Sequence, residues 1–153
     1  MKQLSSFMLP ITVLVVVPLC IEHHFVCHIP TLLLGFLVIG VGLYVMWMTI
    51  GMFIRIGKGT LAPWAPTKKL VVVGIYRYVR NPMIMGVLTV LTGEAIAFLS
   101  ARILVWALVF FLINNAFFLL YEEPNLEKKF GEEYREYKRM VPRWIPRKIN
   151  QER

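Results

Sequence analysis

Four apolar stretches, each long enough to cross a lipid bilayer, constrain this chain of 153 residues more than any other feature. A transmembrane helix needs about 20 mainly apolar residues, within a range of about 17–25. Hydrophobic residues make up 58% of the chain, more than an ordinary soluble domain contains. The sequence therefore predicts an all-α integral membrane protein with about four transmembrane helices in one domain, residues 1–153. The stretches run over about residues 5–27, 31–54, 83–99 and 102–121.

The positive charges predict how these helices are oriented. The formal charge is +8, and nine of the 17 cations lie in the C-terminal tail, residues 122–153, with six more in the polar loop, residues 55–82. With four spans, both segments fall on one side of the membrane, and cytoplasmic segments carry an excess of Lys and Arg. We therefore expect a multi-pass protein with the loop and both termini in the cytoplasm. Because the charges flank apolar stretches, the expected partner is the lipid bilayer and not nucleic acid.

The third and fourth stretches are joined by a very short connection, Ser100–Arg102. Such a connection forces an antiparallel hairpin, so loop 55–82 and tail 122–153 should emerge side by side at the same face. The two polar segments can therefore build one site together. In the second stretch, small residues should permit close helix packing, as they do in other membrane bundles. They are Gly35, Gly40, Gly42 and Gly51.

The tail carries an apolar stripe with helical spacing. Its members recur at intervals of four, four and three residues, which places them on one face of an amphipathic helix. Two interpretations are open at this point: a helix that lies on the lipid surface, or a lid that covers a pocket. We expect this helix to begin at Pro124, which suits a first helical position. The stripe consists of Leu126, Phe130, Tyr134 and Tyr137.

Two segments of the chain resemble a known family when they are read together. The segment GIYRYVRNPMIMG resembles the Arg-His/Asn-Pro-x-Tyr-x-Gly signature of integral-membrane methyltransferases, namely the isoprenylcysteine carboxyl methyltransferases and the related phospholipid N-methyltransferases. The segment EEPNLEKKFGEEYREYKRMVPRWIP resembles the C-terminal signature of the same enzymes. The resemblance covers roughly residues 68–147, about half of the chain. Its specificity comes from both motifs, in this order, with one helical hairpin between them.

The resemblance implies methyl transfer that depends on S-adenosyl-L-methionine, an EC 2.1.1 type of activity, at the cytoplasmic face of the membrane. The acceptor would be lipophilic or small. Glu122 would bind the methionine part of the cofactor, since a carboxylate beside its ammonium makes a charge-assisted hydrogen bond. Carried over by position, the cofactor-binding residues are Lys68, Lys69, Leu70, Val71, Tyr76, Asn81, Pro82, Met83, Ile84 and Glu122.

Each polar candidate also has an ordinary structural interpretation. Glu122 can cap a helix that begins at Pro124, and Tyr76 can anchor the chain at the membrane interface. Asn81 can cap the helix whose entry Pro82 fixes, and that helix N-terminus offers free N–H groups to a carboxylate or hydroxyl. Arg80 is a candidate for the cofactor carboxylate or a lipid phosphate. Methyl transfer needs alignment and exclusion of water, so we expect no metal site and assign no catalytic residue.

Three residues of the apolar stretches are candidates for the substrate side: Phe118, Glu94 and Asn115. Intramembrane carboxylates such as Glu94 usually face the bundle interior, where a structural contact and a role in substrate or proton handling are both open. Phe118 stands where the prenylcysteine enzymes have an Arg, and Ile84 replaces the Tyr of the signature. Because Phe118 cannot bind a carboxylate, a prenylcysteine acceptor is disfavoured, whereas a lipid amine, a thiol or another small lipophilic acceptor stays open.

Two other classes of function remain as alternatives. The chain could be a non-catalytic membrane scaffold or a cofactor-binding relative of the same family, which the replacements at Ile84 and Phe118 leave possible. A small transporter or channel subunit would instead distribute polar residues through its spans, whereas here they cluster at one face. Cys20 and Cys27 could form a disulfide or be two small apolar residues near a helix end.

Overall fold

The computed structural model describes residues 11–22, 28–52, 55–56 and 70–147. Over these residues the chain forms helices and no strand, which confirms the all-α prediction for the described part. A short 3-10 turn, Gly74–Arg77, interrupts the loop before the third helix. The helices are α1 (Thr12–Ile21), α2 (Ile29–Met52), α3 (Pro82–Ala97), α4 (Ala101–Phe117), α5 (Glu123–Phe130) and α6 (Glu132–Met140).

Two helices in the described part are long and apolar enough to cross a membrane, fewer than the four that the sequence predicts. They are α2, with 24 residues, and the continuous helix Ala101–Phe130, with 30 residues, which contains α4 and α5. Helix α3 has 16 residues and ends at Ala97, because the hairpin turn begins at Phe98. At 1.5 Å per residue it is about 24 Å long, shorter than a hydrocarbon core of about 30 Å. The predicted first span extends into residues 5–10 and 23–27, outside the described residues.

Helices α2 and α3 pack closely, because glycines at the interface let the two backbones approach each other. A Cβ atom added to Gly42 would lie 2.8 Å from the carbonyl oxygen of Gly86, and one added to Gly35 would lie 2.6 Å from the Cα of Ala97. The pairs run in opposite directions along the two helices, so the helices are antiparallel. Gly40 and Gly51 have no neighbouring atom within 4 Å of such a Cβ. The prediction of close approach therefore holds for two of the four glycines of α2.

The interior of the bundle is small, and its outer surface is strongly apolar. The core contains Leu91, which is fully buried on α3, together with Leu14, Met46, Val87, Val90, Ala107 and Phe110. Large apolar side chains cover the outer faces of α2 and α4, where they are half or more exposed. Exposed apolar surface of this extent is typical of a membrane-contacting or protein-contacting face. Examples are Leu33, Phe36, Leu37, Trp47, Leu104, Leu112 and Ile113.

The predicted hairpin between α3 and α4 is present, with a connection of three residues, Phe98–Ser100. The hydroxyl oxygen of Ser100 caps α4 by accepting a hydrogen bond from the Ile103 backbone N–H at 3.3 Å. The same hydroxyl donates a hydrogen bond to the buried carboxylate of Glu22, which also pairs with Arg102 at 3.5 Å. These contacts tie the end of α1 to the hairpin. Cys20, near the end of α1, is free and exposed, and Cys27 lies outside the described residues.

A π-helical turn, Phe118–Glu122, joins α4 to α5 without breaking the helix. Pro124 accounts for it: proline has no N–H to donate, and its ring clashes with the carbonyl oxygen four residues earlier. The turn widens instead, so that the Glu123 N–H donates to the Phe118 carbonyl five residues back. Pro124 lies in the first turn of α5, as its place in the sequence predicts, but the helix runs on from α4 into α5 without a break. Glu122 has helical backbone angles and makes no capping hydrogen bond.

Candidate functional site

The loop before α3 and the helix after α4 meet at one end of the bundle. Since α3 and α4 are antiparallel, the residue that begins α3 and the residues that follow α4 lie at the same end. A direct ion pair joins the two segments: Arg80 Nη1 lies 2.9 Å from Glu123 Oε1. The two motifs that carry the family resemblance are therefore in contact in the folded chain.

Glu123 is the centre of a buried network of charges. Its side chain is only 6% exposed, and its carboxylate pairs with Arg80 at 2.9 Å, Arg143 at 2.8 Å and Lys138 at 3.2 Å. A buried carboxylate is tolerated only when it is paired in this way. The Arg80 Nε atom is buried and has no hydrogen-bond partner among the described residues, which leaves one N–H donor for an anionic group. Sequence reasoning missed Glu123 and Arg143, because nothing in the Glu pair itself says which carboxylate is buried.

Residues 141–147, the C-terminal strap, hold the loop and α4 together. The Arg80 backbone N–H donates to the Pro142 carbonyl at 3.0 Å, and the Arg147 N–H donates to the Tyr78 carbonyl at 3.1 Å. On the other side of the strap, Trp144 Nε1 donates to Asn115 Oδ1 at 3.1 Å. The strap therefore connects the loop before α3 to α4 through direct hydrogen bonds.

The apolar stripe of the tail packs on the loop. Helices α5 and α6 are separated at Gly131, whose φ of +56° favours glycine. Leu70 and Val72 of the loop, with Leu126 and Phe130 of α5, pack against a buried cluster that contains Tyr134 and Tyr137 of α6. The Tyr137 hydroxyl donates to the Tyr76 carbonyl at 2.8 Å, and burial raises the pKa of Tyr137. Of the two interpretations left open by the sequence, the structure supports a tail that covers the loop.

Three of the predicted cofactor residues, Tyr76, Asn81 and Glu122, are half-buried. Burial, and secondly the negative charge of Glu122, raise the pKa of the Tyr76 hydroxyl, so these two side chains share one environment. Neither Glu122 nor Asn81 makes a side-chain hydrogen bond or ion pair with another residue in the described part of the chain. Asn81 occupies the position before α3, but its side chain does not make the expected capping bond. Pro82 opens the helix as expected and is fully buried.

The remaining predicted cofactor residues are mostly in packing positions. Leu70 contacts the aromatic cluster of the tail, and Val71 is buried. Ile84 packs against the core of the bundle, while Met83 is half-buried. Lys68 and Lys69 lie outside the described residues.

The structure brings two of the three predicted substrate residues together. Phe118 is buried, with its ring 5.9 Å from that of Trp144, and Asn115 accepts hydrogen bonds from both Trp144 and Arg143. Glu94 is half-buried on α3, and its Oε2 atom is buried without a hydrogen-bond partner among the described residues. It follows Pro82 by 12 residues, or about 18 Å along the helix axis. The fold therefore separates Glu94 from the site at the other end.

These features define a class of protein: a helical, membrane-associated protein with one polar site, enclosed at one end of its bundle by a loop, a long helix and a strap. The sequence model of the phospholipid methyltransferase family matches residues 30–133, two thirds of the chain. The chain therefore belongs to this family of membrane methyltransferases, which confirms the resemblance seen in the sequence.

One relative has no described function. It is an uncharacterized protein of Haemophilus influenzae (strain ATCC 51907 / DSM 11121 / KW20 / Rd), 37% identical over 68 residues. The matched region is 44% of this chain and 98% of the relative. No solved structure matches the chain.

Proposed function

We propose that this protein transfers a methyl group from S-adenosyl-L-methionine to a lipophilic or small acceptor at the cytoplasmic face of a membrane. The observation that carries the proposal is the contrast between the two adjacent glutamates. Glu123 forms ion pairs with three cations. Glu122 is half-buried near Tyr76, and its side chain makes no hydrogen bond or ion pair with the described residues. Burial, and secondly the charge of Glu123, raise the pKa of the Glu122 carboxyl to about 7, and a cationic ligand beside it would favour its ionised form.

The residues of the site fit the polar groups of this cofactor. Glu122 would hold its ammonium through a charge-assisted hydrogen bond, and the unpartnered Arg80 Nε–H is a suitable donor for its carboxylate. Tyr76 offers a ring and a hydroxyl to the nucleoside. Asn81 offers an uncommitted amide, beside the free N–H groups in the first turn of α3.

The cofactor would supply an activated methyl group and its leaving group. The protein's own contribution is to hold donor and acceptor in line and to exclude water. The arrangement of α5, α6 and the strap over the loop is suited to that task, since it covers the site with packed side chains. No residue of the site is needed as an acid or base for this role.

We also propose that all four predicted helices cross the membrane, with both termini in the cytoplasm. Helix α3 is short, but it packs antiparallel to α2 from Gly86 to Ala97 and so runs beside a helix of full spanning length. Its ends are covered by the hairpin and by the loop. The distribution of Lys and Arg supports the orientation, since only Arg102 among the cations falls on the opposite side.

The adjacent glutamates provide a matched test by calorimetric titration of S-adenosyl-L-methionine into the protein in detergent. Glu122→Gln is expected to weaken donor binding by roughly tenfold to a hundredfold, the value of a hydrogen bond to a charged group, while the unfolding temperature is kept. Glu123→Gln is expected to lower the free energy of unfolding by about 3 kcal/mol, because three cations lose a buried partner. Unchanged donor affinity in Glu122→Gln would remove Glu122 from the site.

A second experiment addresses the acceptor. The protein is incubated with methyl-labelled donor, extracted host lipids and small thiols, and labelled products are identified. A labelled lipid or thiol that is absent with Glu122→Gln is the expected result. Donor binding without any labelled product would identify the chain as a cofactor-binding relative, and neither binding nor product would identify it as a scaffold.

A further inference from the structure

The loop before α3 and the strap pair along their backbones and bring two arginines to one surface. The Arg147 N–H donates to the Tyr78 carbonyl at 3.1 Å, and the Arg80 N–H donates to the Pro142 carbonyl at 3.0 Å. Arg77 directly precedes Tyr78, and both Arg77 and Arg147 are exposed. The fold therefore places on neighbouring segments two cations that are far apart in the sequence.

The charges of these two arginines are not neutralised by the described part of the chain. On the same two segments, Arg80 and Arg143 each pair with the buried carboxylate of Glu123. Neither Arg77 nor Arg147 forms an ion pair with any described carboxylate. Arginine does not lose its proton in proteins, so both positions keep a full positive charge at the surface.

The sequence around the two arginines supplies no acid either. Residues 56–93, on both sides of Arg77, contain no Asp or Glu, and residues 137–151, on both sides of Arg147, contain none. Within the described chain this surface therefore lacks a counter-charge, which a bound anion would supply. A guanidinium presents a rigid fork of N–H donors that matches the oxygens of a phosphate.

Apolar side chains beside the arginines indicate which kind of anion the surface fits. Ile145, two residues before Arg147, is 79% exposed, and Tyr78 is 43% exposed. A soluble phosphate would leave both side chains in water, whereas a phospholipid covers them with its glycerol and the first part of its acyl chains. Tyrosine is enriched at this level of membrane proteins. Because Tyr78 lies just before α3, the surface is at the end of the bundle where the proposed spans meet the cytoplasmic leaflet.

We propose that the interfacial patch, namely Arg77, Tyr78, Ile145 and Arg147, binds the headgroup of an anionic phospholipid in the cytoplasmic leaflet. The two arginines hold the charge of the lipid, and Tyr78 and Ile145 lie against its glycerol and acyl region. One Lys or Arg near an anionic membrane surface contributes about 1 kcal/mol, which is about fivefold in affinity. Two arginines therefore predict a preference of roughly fivefold to thirtyfold for an anionic over a zwitterionic phospholipid.

A lipid on the interfacial patch contacts the loop and the strap at once and so holds them together. The same two segments supply Arg80 and Arg143, which pair with Glu123 next to the proposed donor ligand Glu122. Lipid binding therefore favours the arrangement of the donor site, and by linkage each ligand raises the affinity for the other. This coupling rests on the proposed function, whereas the lipid site does not depend on it.

Native mass spectrometry of the full chain in detergent tests the lipid site without any need for activity. The protein is mixed with equal amounts of dioleoyl phosphatidylglycerol and dioleoyl phosphatidylcholine, and the lipids retained on it are counted. The wild type is expected to favour phosphatidylglycerol at least about fivefold, and Arg77→Gln/Arg147→Gln is expected to retain the two lipids about equally. Both substitutions change exposed side chains and leave the backbone hydrogen bonds between loop and strap in place, so the unfolding temperature should be kept.

A second double variant removes the same number of charges from the tail helices. Lys128→Gln/Arg135→Gln changes two exposed cations on α5 and α6 and is expected to keep the preference for phosphatidylglycerol. Equal retention of the two lipids by the wild type, or the same loss of preference in both double variants, would overturn the patch as a lipid site. Excess glycerol phosphate is expected to displace little of the lipid. Full displacement by this soluble headgroup would show that the patch binds a phosphate alone and would overturn the lipid as its occupant.

Donor titration in nanodiscs separates the coupling from the proposed function. When phosphatidylglycerol rises from none to about a third of the lipid, the gain in affinity for S-adenosyl-L-methionine is expected to be at least about fivefold larger in the wild type than in Arg77→Gln/Arg147→Gln. The attraction of the cationic donor to an anionic bilayer is common to both proteins and cancels in this comparison. Selective binding of phosphatidylglycerol by a protein that binds no donor would keep the lipid site and reject the proposed function. Donor affinity that responds equally in the two proteins would keep the proposed function and reject the coupling through the patch.

Discussion

The close packing of α2 on α3 leads to a quantitative prediction at Gly42. A Cβ at this position would lie 2.7 Å from Val90 Cγ2 and 2.8 Å from both the Gly86 carbonyl oxygen and the Val90 backbone nitrogen. Two of these neighbours are backbone atoms of a helix and cannot rotate away. To restore ordinary contact distances of about 3.5–4.0 Å, Gly42→Ala must push the two helices apart by roughly 1 Å.

A matched substitution isolates the energy of this displacement. Gly40 lies on the same helix with no neighbouring atom within 4 Å, so Gly40→Ala changes only the helix propensity. That change stabilises the helix by up to about 1 kcal/mol and is common to both variants. Overpacking in a tight core costs about 1–3 kcal/mol and affects Gly42→Ala alone. The difference between the two variants in free energy of unfolding is therefore expected to be about 1–3 kcal/mol.

Reversible unfolding in mixed detergent micelles, followed by circular dichroism, measures this difference. Helix α3 begins at the candidate site, so Gly42→Ala is also expected to weaken S-adenosyl-L-methionine binding, whereas Gly40→Ala leaves it unchanged. Equal stability of the two variants, or a more stable Gly42→Ala, would show that the helices do not meet at this glycine. The antiparallel register of α2 and α3 would then be wrong.

The loss of either of two other contacts is expected to lower the free energy of unfolding. Ser100→Ala removes both the cap on the Ile103 N–H and the hydrogen bond to Glu22, and should lower the free energy of unfolding by about 1–2 kcal/mol. Full stability of this variant, or no recovery of stability in Ser100→Thr, would argue against the cap. Tyr137→Phe leaves the Tyr76 carbonyl without its donor, and should cost about 1 kcal/mol and speed amide hydrogen exchange in the loop. Unchanged exchange would mean that α6 does not secure the loop.

The shared location of the two motifs could be predicted from the sequence because it follows from chain geometry. A connection of three residues leaves α3 and α4 no arrangement other than an antiparallel pair. The apolar stripe of the tail was equally readable, since its spacing depends only on helix periodicity. The contact between the stripe and the loop could not be predicted, because Leu70 and Val72 show no periodic pattern of their own.

The different environments of Glu122 and Glu123 could not be predicted. Adjacent residues on a helix point about 100° apart, and which one is buried depends on the phase of the helix. The π turn that Pro124 induces ends at Glu122 and shifts that phase within the pair itself. The cations that pair with Glu123 are at positions 80, 138 and 143, which are distant from it in sequence.

The sequence by itself determined the helical membrane class, the position of the polar segments at one end and the family, because these depend on apolar length, spacing and local motifs. Only the tertiary structure decided which of the two carboxylates is paired with cations and how the strap joins the loop to α4. Those features arise from contacts between residues far apart in the chain, whose geometry no local pattern encodes.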